Sequence, residues 1–256
     1  MIYGFIGTGT ITAAMIEGMM SSALPVSGVI VSPRNADLAS SLAERFSQVR
    51  VATSNQAVAD EAEVLVLAVR PQIAEDVLTS ISIPPGRTLI SVIAATSHEM
   101  LSGWTGYDAA QIVRAIPLPF VSYREGVTAI FPANSAASKL FGAIGQAIES
   151  DDQDEFDVLA AASAMMGTYY GLMENISGWM ESHGMPEHKA RAYLTQLFGS
   201  LSQVAARSPS ISYDQLRRDF STIGGLNEQV FKGFHENGGS VALIDALEGV
   251  LARIKK

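Results

Sequence analysis

Ile2-Tyr3-Gly4-Phe5-Ile6-Gly7-Thr8-Gly9-Thr10-Ile11-Thr12 decides the fold of this chain. Ile2 to Ile6 is an apolar run of strand length. Beyond it, Ile11, Ala14, Met15, Gly18 and Met19 recur at the spacing of one helix face. A strand, a Gly-x-Gly turn and a helix in immediate succession form the arrangement that receives a pyrophosphate. Gly7 permits the tight turn, Gly9 lets the backbone approach phosphates, and the helix start offers free N–H groups and a positive dipole end. Thr8, Thr10 and Ile11 belong to the same turn. Thr12 stands where a third small residue is usual, and it is expected to loosen the packing of helix on strand.

Working outward, the first half repeats this grammar. Val29 to Val31 reads as a strand, Ala36 to Phe46 as a helix, and Val49 to Val51 as a short strand. Val64 to Val69 is the continuous apolar run of a strand covered on both faces, and Thr88 to Ile93 and Gln111 to Ala115 follow. Such alternation predicts a parallel, doubly wound sheet over residues 1–150. Ligand sites in these sheets lie beyond the carboxyl ends of strands. Ala68, Val69, Arg70 and Pro71 are therefore expected to border a dinucleotide, with Asn55 and Ala94 past neighbouring strands. An NAD-preferring site needs a carboxylate about 20 residues on, to hold the ribose 2′-OH. Ser32-Pro33-Arg34-Asn35 stands there instead. A hydroxyl, a guanidinium and an amide suit a 2′-phosphate, so NADP is the expected cofactor, with NADPH preferred over NADH.

Past residue 150 the pattern changes. Asp151, Asp152, Asp154, Glu155 and Asp157 suit a helix start. From there to Lys256 only helical periods appear: Phe156 to Met166, Glu187 to Arg207 after Pro186, Tyr213 to Arg218, Gly225 to Asn237 and Val241 to Ile254. The expected layout is a Rossmann-type α/β domain over 1–150 and an all-helical domain over 151–256.

Composition excludes several functions. Of 256 residues, 17 are Lys or Arg and 26 Asp or Glu, giving a net charge of −9, and neither half is basic. Nucleic-acid binding is not expected. There is no cysteine, which removes disulfides, thiolate catalysis and Cys-ligated metals. No two of the four histidines, His98, His183, His188 and His235, have HExxH spacing, so a zinc hydrolase is not expected, and no metal is expected. His98, His188 and His235 read as exposed helical residues. No apolar run is long enough to span a membrane. A cytoplasmic protein is expected.

In order along the chain, Gly4-Phe5-Ile6-Gly7-x-Gly9, Ser32-x-Arg34, Ala68-Val69-Arg70-Pro71-Gln72, Arg114-Ala115-Ile116-Pro117 and Phe220-Ser221-Thr222-Ile223-Gly224-Gly225 resemble the pyrroline-5-carboxylate reductase family. The resemblance covers nearly the whole chain. It implies NAD(P)H-dependent reduction of the cyclic imine 1-pyrroline-5-carboxylate, or a close imino acid, to proline. It also implies C-terminal helices interlocked between two subunits, as a homodimer or a larger assembly of dimers, with the substrate pocket at that junction. The cofactor half matches more closely than the substrate half. Leu118 replaces an Asn after Ile116-Pro117, Gly167 falls in the stretch Ser163 to Tyr169, and Leu226 and Asn227 replace two threonines after the Gly pair.

Imine reduction needs a hydride donor, a proton for nitrogen and an anchor for the substrate carboxylate. The anchor is expected at Gly224, Gly225 and Leu226, whose N–H groups precede a helix, with Asn227 adding an amide. Ser221 and Thr222, on the same loop, and Tyr169, on the first long C-terminal helix, are the candidate proton donors; Tyr170 and Glu174 share a face of that helix. Two other readings stand beside this one. A β-hydroxyacid-dehydrogenase-type oxidoreductase would want a catalytic Lys in that helix, and the lysines are Lys139, Lys189, Lys232, Lys255 and Lys256. A regulatory NADP-binding protein would keep the cofactor fold and lose catalysis. The helical half carries Met165, Met166, Trp179, Leu194, Leu197 and Phe198, more apolar surface than an isolated bundle can hide, which also predicts a dimer.

Overall fold

The computed structural model describes residues 1–255. Eight strands form one sheet: β1 (Ile2–Ile6), β2 (Gly28–Val31), β3 (Val49–Val51), β4 (Val64–Leu67), β5 (Thr88–Ser91), β6 (Ile112–Pro117), β7 (Gly126–Phe131) and β8 (Gly145–Glu149). Their order is β3-β2-β1-β4-β5-β6-β7-β8. Strands β1 to β6 run parallel, β7 reverses against β6, and β8 is parallel to β7. Chain direction across the sheet switches between β1 and β4, so the crevice for a ligand opens beyond those two strands.

Helices cover both faces: α1 (Thr10–Met20), α2 (Ala36–Arg45), α3 (Asn55–Glu61), α4 (Ala74–Thr79), α5 (His98–Thr105) and α6 (Ser135–Ala143). Alternation along β4 shows the layering. Val64 and Val66 join a core with Met15, Ile16 and Met19 of α1 and Leu140 and Phe141 of α6. Leu65 and Leu67 join another with Val58 of α3, Leu78 of α4 and Leu101 of α5. All of these are nearly or fully buried, each large side chain contributing roughly 1.5–3 kcal/mol relative to exposure.

The remaining helices are α7 (Gln153–Ser163), α8 (Met165–Ser182), α9 (Glu187–Arg207), α10 (Tyr213–Asp219), α11 (Leu226–Glu236) and α12 (Gly239–Ile254). The periodic run from Phe156 to Met166 is two helices, broken at Ala164. The chain divides into two compact units, Met1–Ala160 with the C-terminal end from Arg253, and Ala161–Ala252. Most of α7 therefore belongs to the first unit. In the second, Ala190 and Leu194 of α9 are buried, whereas Trp179, Leu197, Val230 and Ile223 are well exposed.

α7 is held to the sheet by a buried polar cluster. Arg114 of β6 approaches Asp157 at 3.9 Å, with both side chains under one-tenth exposed. Its guanidinium lies 4.7 Å from the centre of the Phe156 ring. Gln153 donates to Asp157 at 2.6 Å, and the imidazole of His98 touches Gln153 Oε1 at 3.2 Å and the Ile112 carbonyl at 3.0 Å. His98 is thus a half-buried member of this cluster and not an exposed helical residue. Burial and then the Arg114 charge lower its pKa.

Candidate active site

The turn after β1 is built by glycine and by hydroxyls. Gly7 has φ +103°, and a Cβ there would lie 2.5 Å from the Ala68 carbonyl oxygen. The turn therefore closes against the end of β4 only with glycine. Gly9 is different: a Cβ there would meet nothing within 4 Å. The space that Gly9 leaves free is not needed by the chain itself. Gly9 is also the N-cap of α1, with no side-chain cap and no acidic residue in the first turn. The N–H groups at that helix start keep their full attraction for an anion.

Thr12 corrects its reading. It is fully buried and its hydroxyl donates to the Gly7 carbonyl at 2.6 Å. The side chain ties the first turn of α1 to the loop and does not loosen it. Ser32 is likewise drawn inward, 1% exposed. Its Oγ accepts from Gly7 N–H at 2.9 Å and lies 3.1 Å from Thr8 Oγ1, which donates to the Ser32 carbonyl at 2.7 Å. Asn35 donates to the Thr8 carbonyl at 3.0 Å. Ser32 and Asn35 hold the loop, which leaves Arg34 as the side chain free to meet a 2′-phosphate.

One cavity of about 410 Å³ gathers Gly7, Thr8, Gly9, Ser32, Arg34, Asn35, Asn55, Ala68, Val69 and Arg70. It opens beyond the carboxyl ends of β1, β2 and β4. Thr10, Ile11, Pro71 and Ala94 are outside its lining, and Ile73 and Val77, not foreseen, are part of it. Their signal was their i, i+4 spacing after Pro71, an apolar pair at the mouth of a strand. Arg34 and Arg70 are exposed and in no ion pair among the described residues. No Asp or Glu lines the cavity. Two free guanidiniums, a bare helix start and no carboxylate fit a phosphate-rich dinucleotide.

The loop before α11 is more self-contained than expected. Gly224 N–H donates to Glu228 Oε2 at 2.6 Å, Gly225 N–H to the Thr222 carbonyl at 2.8 Å, and the Asn227 amide to the Phe220 carbonyl at 2.7 Å. The N–H groups of Gly224 and Gly225 and the Asn227 side chain are therefore already engaged. Of the expected donors, only Leu226 N–H remains, with the other first-turn N–H groups of α11. Gly225 is required by the turn itself, since a Cβ would stand 2.8 Å from the Thr222 carbonyl oxygen. Ser221 and Thr222 share this loop. Tyr169 lies on α8, edge-on to Tyr170 at 5.2 Å and to Phe198 of α9 at 6.1 Å.

Among the described residues no group of His, Asp or Glu is placed to hold a metal ion, and no helix is long and apolar enough to cross a membrane. The fold and the cavity are those of a dinucleotide-binding protein of the Rossmann type. Residues 2–95 match the model of the coenzyme F420-dependent NADP oxidoreductases, and residues 153–256 match the pyrroline-5-carboxylate reductase dimerisation model. The chain is 27% identical over 260 residues to a pyrroline-5-carboxylate reductase of Pseudomonas aeruginosa, covering 97% of this chain and 94% of that one. In structure it is similar to 1-pyrroline-5-carboxylate reductase of Streptococcus pyogenes, with TM-score 0.87, 21% identity and 100% and 98% of the two chains covered. It is similar as well to the Plasmodium falciparum pyrroline carboxylate reductase solved with NADP bound, with TM-score 0.83, 19% identity and 99% and 96% covered. Over nearly its whole length the chain is similar to pyrroline-5-carboxylate reductases, and its helical end matches their dimerisation model.

Proposed function

We propose that this chain reduces the C=N bond of 1-pyrroline-5-carboxylate, or of a close cyclic imino acid, to proline, with NADPH preferred over NADH. The observation that carries the reading is the cavity beyond β1 and β4, with its two free guanidiniums and no carboxylate, in a chain similar to pyrroline-5-carboxylate reductases. NADPH, when bound, supplies the hydride. The start of α1 holds the pyrophosphate through backbone N–H groups, and Gly9 keeps the approach open. Arg34 meets the 2′-phosphate. Arg70, on the loop after β4, adds a second positive charge to the same cavity. Ser221, Thr222 and Tyr169 are the groups that can deliver a proton to the imine nitrogen, and Leu226 N–H with the first turn of α11 anchors the carboxylate.

The working form in this reading is a homodimer or a larger homo-oligomer in the cytoplasm. The match of 153–256 to a dimerisation model and the exposed apolar side chains of the second unit support the assembly. The absence of cysteine accords with a reducing compartment.

The test is oxidation of NADPH, followed by its fluorescence, with 1-pyrroline-5-carboxylate as substrate and proline assayed as product. Proline formed in step with NADPH loss is expected, with a lower KM for NADPH than for NADH. NADPH binding without turnover on any cyclic imine would instead favour a regulatory protein.

A further inference from the structure

The loop from Phe220 to Gly225 and the first turn of α11 satisfy one another, and the group that closes them is an acid. Glu228 accepts from Gly224 N–H at 2.6 Å. Capping of this kind steadies a helix, because a carboxylate there complements the dipole. In a loop that must also hold a substrate carboxylate, the same acid has a second effect. It takes a donor the substrate would use, and it puts a full negative charge where another must come. Like charges at one site raise each other's energy. Among the described residues Glu228 is in no ion pair. Arg217 and Arg218 are paired with Asp214, and Lys232 with Glu236.

Resting on the substrate site proposed above, we infer that Glu228 is a specificity-determining residue: it sets the charge preference of the substrate loop. A carboxylate-bearing imine binds in competition with it, and the chain's advantage for such an imine over the same ring without a carboxylate is held down.

Glu228→Gln tests this, since the amide keeps an acceptor oxygen for Gly224 N–H and removes the charge. The measurement is kcat/KM for 1-pyrroline-5-carboxylate relative to 1-pyrroline, with NADPH, in both proteins. The ratio is expected to rise roughly tenfold in the variant, equivalent to about 1.4 kcal/mol, and through KM for the carboxylate substrate more than through kcat. A ratio that stays the same or falls would overturn the assignment. Binding of L-proline and of pyrrolidine to the NADP-loaded protein, by calorimetry, gives a readout independent of turnover. Tighter L-proline binding in Glu228→Gln, with pyrrolidine not gaining, upholds the role of Glu228. Equal binding in the two proteins, or none, rejects it. If neither protein turns over either imine, the proposed reaction falls, and the proline titration still decides the role of Glu228.

Discussion

At the scale of single residues, the two glycines of the first turn do different work, and substitution separates them. Gly7 sits at positive φ against the Ala68 carbonyl, so Gly7→Ala strains the fold by about 1–3 kcal/mol and lowers the melting temperature in a thermal scan. A side chain on Gly9 meets only open space. Gly9→Val is therefore expected to melt with the wild type while losing at least roughly tenfold in NADPH affinity, a change of 1.4 kcal/mol. A Gly9 variant that melts early would mean that the glycine serves packing. Arg34→Ala removes a charge-assisted contact of about 1.5–3 kcal/mol, or roughly 10- to 150-fold in NADPH affinity, and NADH binding changes little. An unchanged NADPH to NADH ratio would move the 2′-phosphate elsewhere, with Arg70 the next residue to test. Ser32 shows the limit of reading residue types alone. A serine at the end of β2 suggests a ligand contact, yet its hydroxyl is turned back to Gly7 and Thr8, and only coordinates reveal a hydroxyl's partner.

Among the elements, the join of α7 to the sheet rests on a buried ion pair. Arg114 is buried with Asp157 as its anionic partner, so Asp157→Ala leaves an uncompensated charge and is expected to cost about 3–5 kcal/mol in a denaturant titration. A loss below about 1 kcal/mol would show that Phe156 and solvent suffice for Arg114. His98 adds a pH dependence. Its pKa is lowered in the folded chain, so the unfolded chain takes up the proton first, and the stability it contributes is complete above the ordinary histidine pKa and is lost as pH falls below it. Unfolding free energies measured from pH ~7 down to ~5 should therefore fall less steeply in His98→Gln than in the wild type. Identical slopes would remove His98 from the account. The sequence shows β1, β2, β4, β5 and the long α9 plainly, because each is a clean apolar period with a turn or proline at its end. It hides β7 and β8. β7 runs antiparallel after a short helical turn and β8 is an edge strand of mixed exposure, so neither follows the βαβ grammar that marks the others. His98 was hidden for another reason: a histidine at a helix start shows nothing of the strand and helix that close over it.

For the whole molecule, the second unit exposes Trp179, Tyr170, Leu197, Val230 and Ile223, an apolar surface a single chain leaves in water. Sedimentation at micromolar concentration is expected to find a dimer, with an interface beyond the roughly 2,000 Å² of permanent complexes. A stable monomer would contradict it. The cofactor half was legible because its evidence is local, a turn between a strand and a helix. The substrate half was less so because a helical period says which face is apolar and not which donors of a loop are already taken; Gly224 and Gly225 looked open and are not. The cluster of Arg114, Phe156 and Asp157 has a bearing on how such chains can be recombined. The run of residues 151–157, five of them acidic, looks like the opening of a new module, yet Phe156 and Asp157 are the lid on an arginine of the sheet. A hybrid spliced at residue 150 would set one parent's arginine under another parent's lid. A crossover past α7, near the break at Ala164, passes the arginine and its lid on together.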